Sequence, residues 1–281
     1  MKRISIVTPS FNQAAYVEET IKSVLGQGYG NLEYIVIDGA STDGSAGIIE
    51  KYRPQLAYFV SEPDTGHGNA LNKGFRQSTG EIMAWINSDD MYVPWAFKTV
   101  SDIFEAHPEV NWLVGTPTHW NDKGAMIPAG RIFKNALDYL SGNYQWIQQE
   151  SVFWRRSLWE KAGGYIDESY KLMVDGELWT RFFRHEPLWH AQCVLSGFRM
   201  YGGNRSKKFR AQVDAESKRA VEAMRPHIDA DKLGPLRANY PILHYDFQRS
   251  CWVSSLARRV AGKPSPGNRP VQMADGESRG A

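Results

Sequence analysis

Cysteine is scarce: the 281-residue chain has two, Cys193 and Cys251. Two such residues with no metal-binding spacing exclude a disulfide scaffold and a zinc module, and they fit a reducing compartment. Net charge is scarce too, with 33 Lys and Arg against 31 Asp and Glu for a balance of +2. There is no broad basic field of the kind nucleic acid demands, so no nucleic-acid partner is expected. No apolar run approaches the roughly 20 residues of a membrane span. The start, MKRISIVTPSF, has only a short apolar run, broken by Pro9, and no small-residue cleavage site. It reads as a first strand rather than a leader. A cytoplasmic protein is expected, at most peripheral at the inner face of the plasma membrane. Nucleotide motifs are missing as well. Neither a Walker lysine loop nor a Gly-x-Gly-x-x-Gly follows the first strand, which sets aside P-loop NTPases and ordinary dinucleotide enzymes.

What is present is alternation of strand and helix. Apolar runs at RISIVTPS, LEYIVIDG, AYFVSEPD, EIMAWINSDD and NWLVGTP read as strands. Between them, Val17, Ile21, Val24 and Leu25 recur at helical spacing after Asn12, which is placed to cap. A second helix follows ASTDGS, and NALNKGFRQS is a third. Pro94 marks the start of a fourth. Nearly continuous apolar strands separated by helices predict an α/β fold, a doubly wound and mostly parallel sheet flanked by helices. Residues 206–261 read as a helical C-terminal extension, and 262–281, rich in Pro, Gly, Ser and charge, as a disordered tail.

In such sheets ligands bind outside the carboxyl ends of the strands. Asp38, Asp64, Asp89 and Asp90 each follow an apolar strand, so three strands deliver acids to one edge. A cation is expected among them. Mg²⁺ and Mn²⁺ take oxygen ligands, and Mg²⁺ commonly uses one or two carboxylates together with substrate phosphates. Asp89, with Asp90 as accessory, suits that role, and Lys73 could add positive charge toward a diphosphate. The plainer alternative is that Asn87-Ser88-Asp89-Asp90 only turns the chain before Pro94.

The segments VTPSFNQAAYVEETIKSVLGQ, EYIVIDGASTDGS, EPDTGHGNALNKGF, TGEIMAWINSDD and VFWRRSLWEKAGGYIDESYKLMVDGELWTRF, in this order, resemble the inverting glycosyltransferases of family 2, which have the GT-A fold. The resemblance covers roughly residues 3 to 184. It implies a glycosyltransferase domain over 1–205, with a nucleotide-sugar half of about 1–115 and an acceptor half of about 116–205. It implies a UDP- or dTDP-sugar donor, Mn²⁺ or Mg²⁺, and a saccharide or lipid-linked saccharide acceptor, as in polysaccharide, O-antigen or glycolipid synthesis. By its motifs, Thr8, Pro9, Phe11 and Asp38 hold the nucleotide base. Asp64, Lys73, Asn87 and Ser88 complete the nucleotide-sugar site, with Asn87 on the ribose side. Asp89 is the direct metal ligand. Asp175 falls where the family carries its catalytic base, with Glu177 as the rival. Tyr201 stands where many relatives have a histidine that contacts the metal or the diphosphate. Gln149, Glu150 and Trp179 are candidates for the acceptor side.

The chemistry follows from the groups themselves. An acceptor hydroxyl does not ionise at neutral pH, and a carboxylate about 3 Å away can take its proton as the new bond forms. Asp175 could instead be a plain helix cap. Trp146, Trp154, Trp159 and Trp179 could stack on sugar but at their spacing read mainly as core, and His67 is read as a loop histidine. Residues 245–260 put Trp252, Val253, Leu256 and Val260 on one helical face flanked by Arg249, Arg258 and Arg259. Such a helix either lies on an anionic membrane or packs on protein, and a homodimer is open. Two further functions remain in view. One is a non-catalytic nucleotide-sugar binding protein. The other is a nucleotidyltransferase, against which TPSFNQ stands in place of the Gly-rich basic loop that class carries.

Overall fold

The computed structural model describes residues 1–127, 133–143, 147–202, 208–228 and 239–258. Strands β1 (Ile4–Ser10), β2 (Leu32–Asp38), β3 (Tyr58–Ser61) and β4 (Ile82–Trp85) form the parallel half of a nine-stranded sheet. Every residue of β1 and β4 is buried, which is why these runs carry no polar alternation. Helices α1 (Val17–Leu25), α2 (Ser45–Glu50) and α3 (His67–Gln77) connect them. After the two-residue β5 (Met91–Tyr92), α4 (Ala96–Ala106) leads to β6 (Trp112–Val114). Pro94 precedes α4 rather than opening it, and Trp95 takes the cap position.

Asn12 does not cap α1, which begins at Val17. It adopts a positive φ of 53°, and its side-chain oxygen accepts from the Thr42 amide at 3.0 Å. The β1–α1 and β2–α2 loops are thereby tied to each other.

Short strands β7 (His119–Trp120) and β8 (Met126–Ile127) and the helix α5 (Ala136–Leu140) precede β9 (Val152–Arg155). Then come α6 (Arg156–Lys161), α7 (Val174–Phe183), β10 (Trp189–Ala191) and β11 (Ser196–Arg199). With β12 (Asn239–Asp246) and β13 (Cys251–Arg258), the large sheet runs β13-β12-β10-β6-β9-β4-β1-β2-β3, and a small one runs β5-β11-β7-β8. The small sheet matters for function, because β5 begins at the residue after Asp90 and β11 pairs with it. The acidic turn is strapped between the two sheets.

The extension after residue 206 differs from the sequence expectation in its second part. Arg210–Met224 is helical, α8. Residues 239–258 are a β-hairpin, β12 (Asn239–Asp246) and β13 (Cys251–Arg258), and not an amphipathic helix. β12 pairs in parallel with β10 and so prolongs the main sheet. Ser250, at φ 50°, closes the turn. Trp252, Val253 and Leu256 satisfy a helical spacing, but they are aromatic and branched residues that suit a strand equally, and main-chain pairing along β12 decides the outcome. Arg259, Val260, the expected tail at 262–281 and Trp146 lie outside the described residues. Among the described residues no helix is long and apolar enough to cross a membrane.

The core is continuous across the large sheet and centred on tryptophan. Trp85 and Trp179 stack with ring centroids 5.6 Å apart at 15°. Trp112 and Trp154 pack on the same pair.

Candidate active site

The carboxyl ends of β1, β2 and β4 share one rim, because the three strands run parallel in register. Phe11 emerges just past β1 and is 62 % exposed. It faces Gly39 and Asp64: a Cβ built on Gly39 would lie 3.2 Å from the Phe11 ring and 2.7 Å from Asp64 Oδ2. These three residues make an open slot that a side chain at position 39 would fill. The other expected base contacts are inside. Thr8 and Pro9 are buried strand residues, and the Thr8 hydroxyl pairs with Tyr34 at 3.1 Å. Asp38 is fully buried and organises its own loop, accepting from the Ser41 amide at 2.9 Å and the Ser61 hydroxyl at 2.6 Å. Its carboxylate is therefore a loop brace and not an open contact. Lys73 is likewise engaged, by Glu62 at 2.7 Å and the Pro63 carbonyl at 3.0 Å.

The turn after β4 carries the charge. Asp90 is completely buried: it accepts from the Arg199 amide at 2.7 Å and from Asn87 Nδ2 at 3.3 Å. Its carboxyl also hydrogen-bonds that of Glu150. Burial, reinforced by the neighbouring carboxylates, pushes both acids above the usual carboxylate range. Gln149 donates to the Trp85 carbonyl at 2.7 Å and meets Asn87 at 3.3 Å. Gln149 and Glu150 thus support the turn from below and are closed to an acceptor. Ser88 is buried in the same turn. Of the two acids of the turn, Asp89 is the partly open one. Desolvation raises its carboxyl, against the pull of the Tyr201 hydroxyl, which donates to Oδ2 at 2.8 Å.

Asp175 sits in the first turn of α7, the half-exposed end of a helix otherwise buried nearly throughout. Desolvation pushes its carboxyl up to about 6, although the Gly176 amide pulls the other way. Its charge is felt at Glu150, as is that of Asp89. Glu177 points away, into a bidentate ion pair with Arg181 at 2.8 Å for both contacts. Trp179 is 1 % exposed and belongs to the core stack, so it is not an acceptor contact. Trp154 and Trp159 are core as well. His67 lines a cleft of about 170 Å³ with Thr65, Asn69, Glu168 and Lys171, at the start of α3.

Among the described residues no cluster of three or more acids, histidines or cysteines forms a ready cation cage. The donor set is instead one half-open carboxylate, Asp89, beside two buried acceptor oxygens without a hydrogen-bond partner, Asn87 Oδ1 and Glu150 Oε2. Such a set fits a divalent cation that keeps most positions for phosphate and water.

The fold is of the GT-A type, a large and mostly parallel sheet flanked by helices. The model of glycosyl transferase family 2 matches residues 5–201, and the chain belongs to that family. An uncharacterized glycosyltransferase of Mycobacterium tuberculosis (strain CDC 1551) is 31 % identical over 200 residues, covering 69 % of this chain and 74 % of the relative. One from Rickettsia typhi is 29 % identical over 204 residues, covering 70 % and 64 %. Of a longer one from Rickettsia conorii, 26 % identical over 217 residues, the match covers 73 % of this chain and only 35 % of the relative. Among solved structures, TarS 1–349 of S. aureus in complex with UDP-GlcNAc superposes with a TM-score of 0.64 at 18 % identity, covering 79 % of this chain and 66 % of that one. The mannosyltransferase PcManGT of Pyrobaculum calidifontis, in complex with GDP-Man and Mn²⁺, gives 0.63 at 19 % identity, covering 84 % and 68 %.

Proposed function

We propose that this chain transfers a sugar from a nucleoside diphosphate sugar to an acceptor hydroxyl, with inversion at the anomeric carbon. The observation that carries this reading is the rim at the carboxyl ends of the parallel strands β1, β2 and β4, which bears the Phe11–Gly39–Asp64 slot and the partly open Asp89, in a chain whose residues 5–201 match the family model. The nucleotide base enters the slot of Phe11, Gly39 and Asp64. Asp89 would hold Mn²⁺ or Mg²⁺, which when bound screens the diphosphate and makes it a better leaving group. Asp175 accepts the acceptor's hydroxyl proton. The acceptor oxygen forms its bond to the anomeric carbon as the bond from that carbon to the phosphate oxygen breaks, and the nucleoside diphosphate leaves with the electron pair. The proton then passes from Asp175 to solvent.

The UDP-GlcNAc bound to TarS and the GDP-Man bound to PcManGT support a nucleotide-sugar donor, with UDP- and GDP-sugars first to be tried beside dTDP-sugars. A saccharide or lipid-linked saccharide acceptor, as in cell-surface polysaccharide, O-antigen or glycolipid synthesis, completes the reading. The test is nucleoside diphosphate release from a panel of sugar nucleotides with Mn²⁺. Asp89→Ala should weaken donor binding. Asp175→Asn should leave donor affinity nearly intact and lower turnover by about 10²–10⁴-fold. Full activity in Asp175→Asn would remove it as the base.

A further inference from the structure

The least expected part of the rim is what lies over Asp89. β11 ends at Arg199, and two residues on Tyr201 brings its hydroxyl to Asp89 Oδ2 at 2.8 Å. The phenol ring is backed by Tyr16, centroid to centroid 5.1 Å. The Gln13 side chain reaches the same hydroxyl. Arg199 locks the arrangement from below. Its side chain is 0 % exposed. It donates through Nε to the Asp89 carbonyl at 2.7 Å, pairs with Glu19, and stacks over the Tyr16 ring at 4.7 Å. The Asp89 main chain and one of its carboxylate oxygens are therefore both fixed by residues of the β1–α1 loop, the first turn of α1 and the end of β11.

A phenol is protonated at neutral pH and acts as a hydrogen-bond donor. It orients Asp89 and draws off part of its charge, without adding an anionic ligand of its own. The cation then meets one Asp89 carboxylate oxygen and, from the rest of the donor set, at most the unpartnered Asn87 Oδ1 and Glu150 Oε2. Its remaining positions must be filled by water or by phosphate oxygens.

We propose that Tyr201 is a positioning residue that fixes Asp89 as a one-oxygen ligand, so that the divalent cation is held well only together with a nucleoside diphosphate. The inference rests on the function proposed above. It adds an order to the site: cation and nucleotide bind as a unit, and the tyrosine sets that linkage.

The test is the affinity for Mn²⁺, read from the paramagnetic resonance signal of free Mn²⁺. The full chain is titrated alone and with saturating UDP or GDP. The variants are Tyr201→Phe, Tyr201→His and Tyr16→Leu. Melting temperatures without ligand confirm that each is folded. In the wild type, Mn²⁺ should bind at least about 10-fold more tightly with nucleotide than without. Loss of the hydroxyl in Tyr201→Phe should weaken Mn²⁺ binding in the presence of nucleotide by about 10–100-fold, the usual effect of removing a group that orients a metal ligand. Tyr201→His offers an imidazole ligand and should tighten nucleotide-free binding, narrowing the linkage. Tyr16→Leu keeps the hydroxyl but loosens the ring, and should move in the direction of Tyr201→Phe; it carries the test if that variant fails to fold.

Equal Mn²⁺ affinity in wild type and Tyr201→Phe with nucleotide present would overturn the inference while leaving the proposed function standing. So would tight nucleotide-free binding in the wild type. If neither nucleotide binds the wild type with or without Mn²⁺, the proposed function falls and takes this inference with it.

Discussion

Asp175 and Glu177 are two residues apart on one helix turn, yet their surroundings give them opposite tasks. Asp175 has no cationic partner among its main influences, and desolvation leaves its carboxyl near 6 against an ordinary 3.8. The native state thus keeps a proton that the unfolded chain has already released. The stability from that proton is fully present below about pH 4 and is lost as pH rises through 6, so at pH 7 the ionised group destabilises the fold by roughly 1–3 kcal/mol. Asp175→Asn should therefore unfold at higher urea concentration at pH 7, with the gain vanishing near pH 4. In the wild type, turnover should fall on acidification through about pH 6, where the base takes up its proton. Glu177 is the reverse case. Its ion pair with Arg181 is buried, with side chains 9 % and 6 % exposed. Glu177→Gln leaves a buried guanidinium underpaired and should cost about 3 kcal/mol in stability, measured by denaturant titration. The kcat of the folded fraction should survive.

Elements locate these residues, and some were legible in the sequence while others were not. The strands before Asp38 and Asp89 announce themselves, because a strand buried on both faces must be apolar throughout; the strand before Asp64 is a half-exposed edge strand with a short apolar run. The rim follows from that alone. The hairpin at 239–258 was hidden, since its partner is β10, some fifty residues earlier, and no local spacing records that pairing. The same limit hid the roles of Glu150 and Trp179. A polar residue before a strand and a tryptophan on a helix give no sign of which way they face until α7 is packed on the sheet. Arg199 was missed for a related reason: its side-chain partners, Asp89, Asp122 and Glu19 among them, lie far away in sequence. One packing contact offers a direct check on the α3–β1 interface. A Cβ at Gly74 of α3 would overlap Val7 of β1 and crowd Ile37. Gly74→Ala should lower stability by about 1–3 kcal/mol despite its better helix propensity, a loss visible in the melting temperature.

At the scale of the whole molecule, the large sheet runs from β3 to the hairpin without a break. β12 buries Tyr240, Pro241, Ile242 and Leu243 against the body, so the hairpin is part of the core and not an appendage. A chain cut before Asn239 should expose the β10 edge and aggregate, a result that size-exclusion chromatography would show; a soluble, monodisperse product would argue that the sheet closes without it. The stacked indoles carry one more consequence. Trp85 ends the strand that leads to Asp89, and Trp179 lies one turn along the helix that begins beside Asp175. Two parallel chromophores at that spacing couple their electronic transitions, so the near-ultraviolet circular dichroism of this chain is a natural optical ruler. A small shift between strand and helix on ligand entry would register there without any label attached.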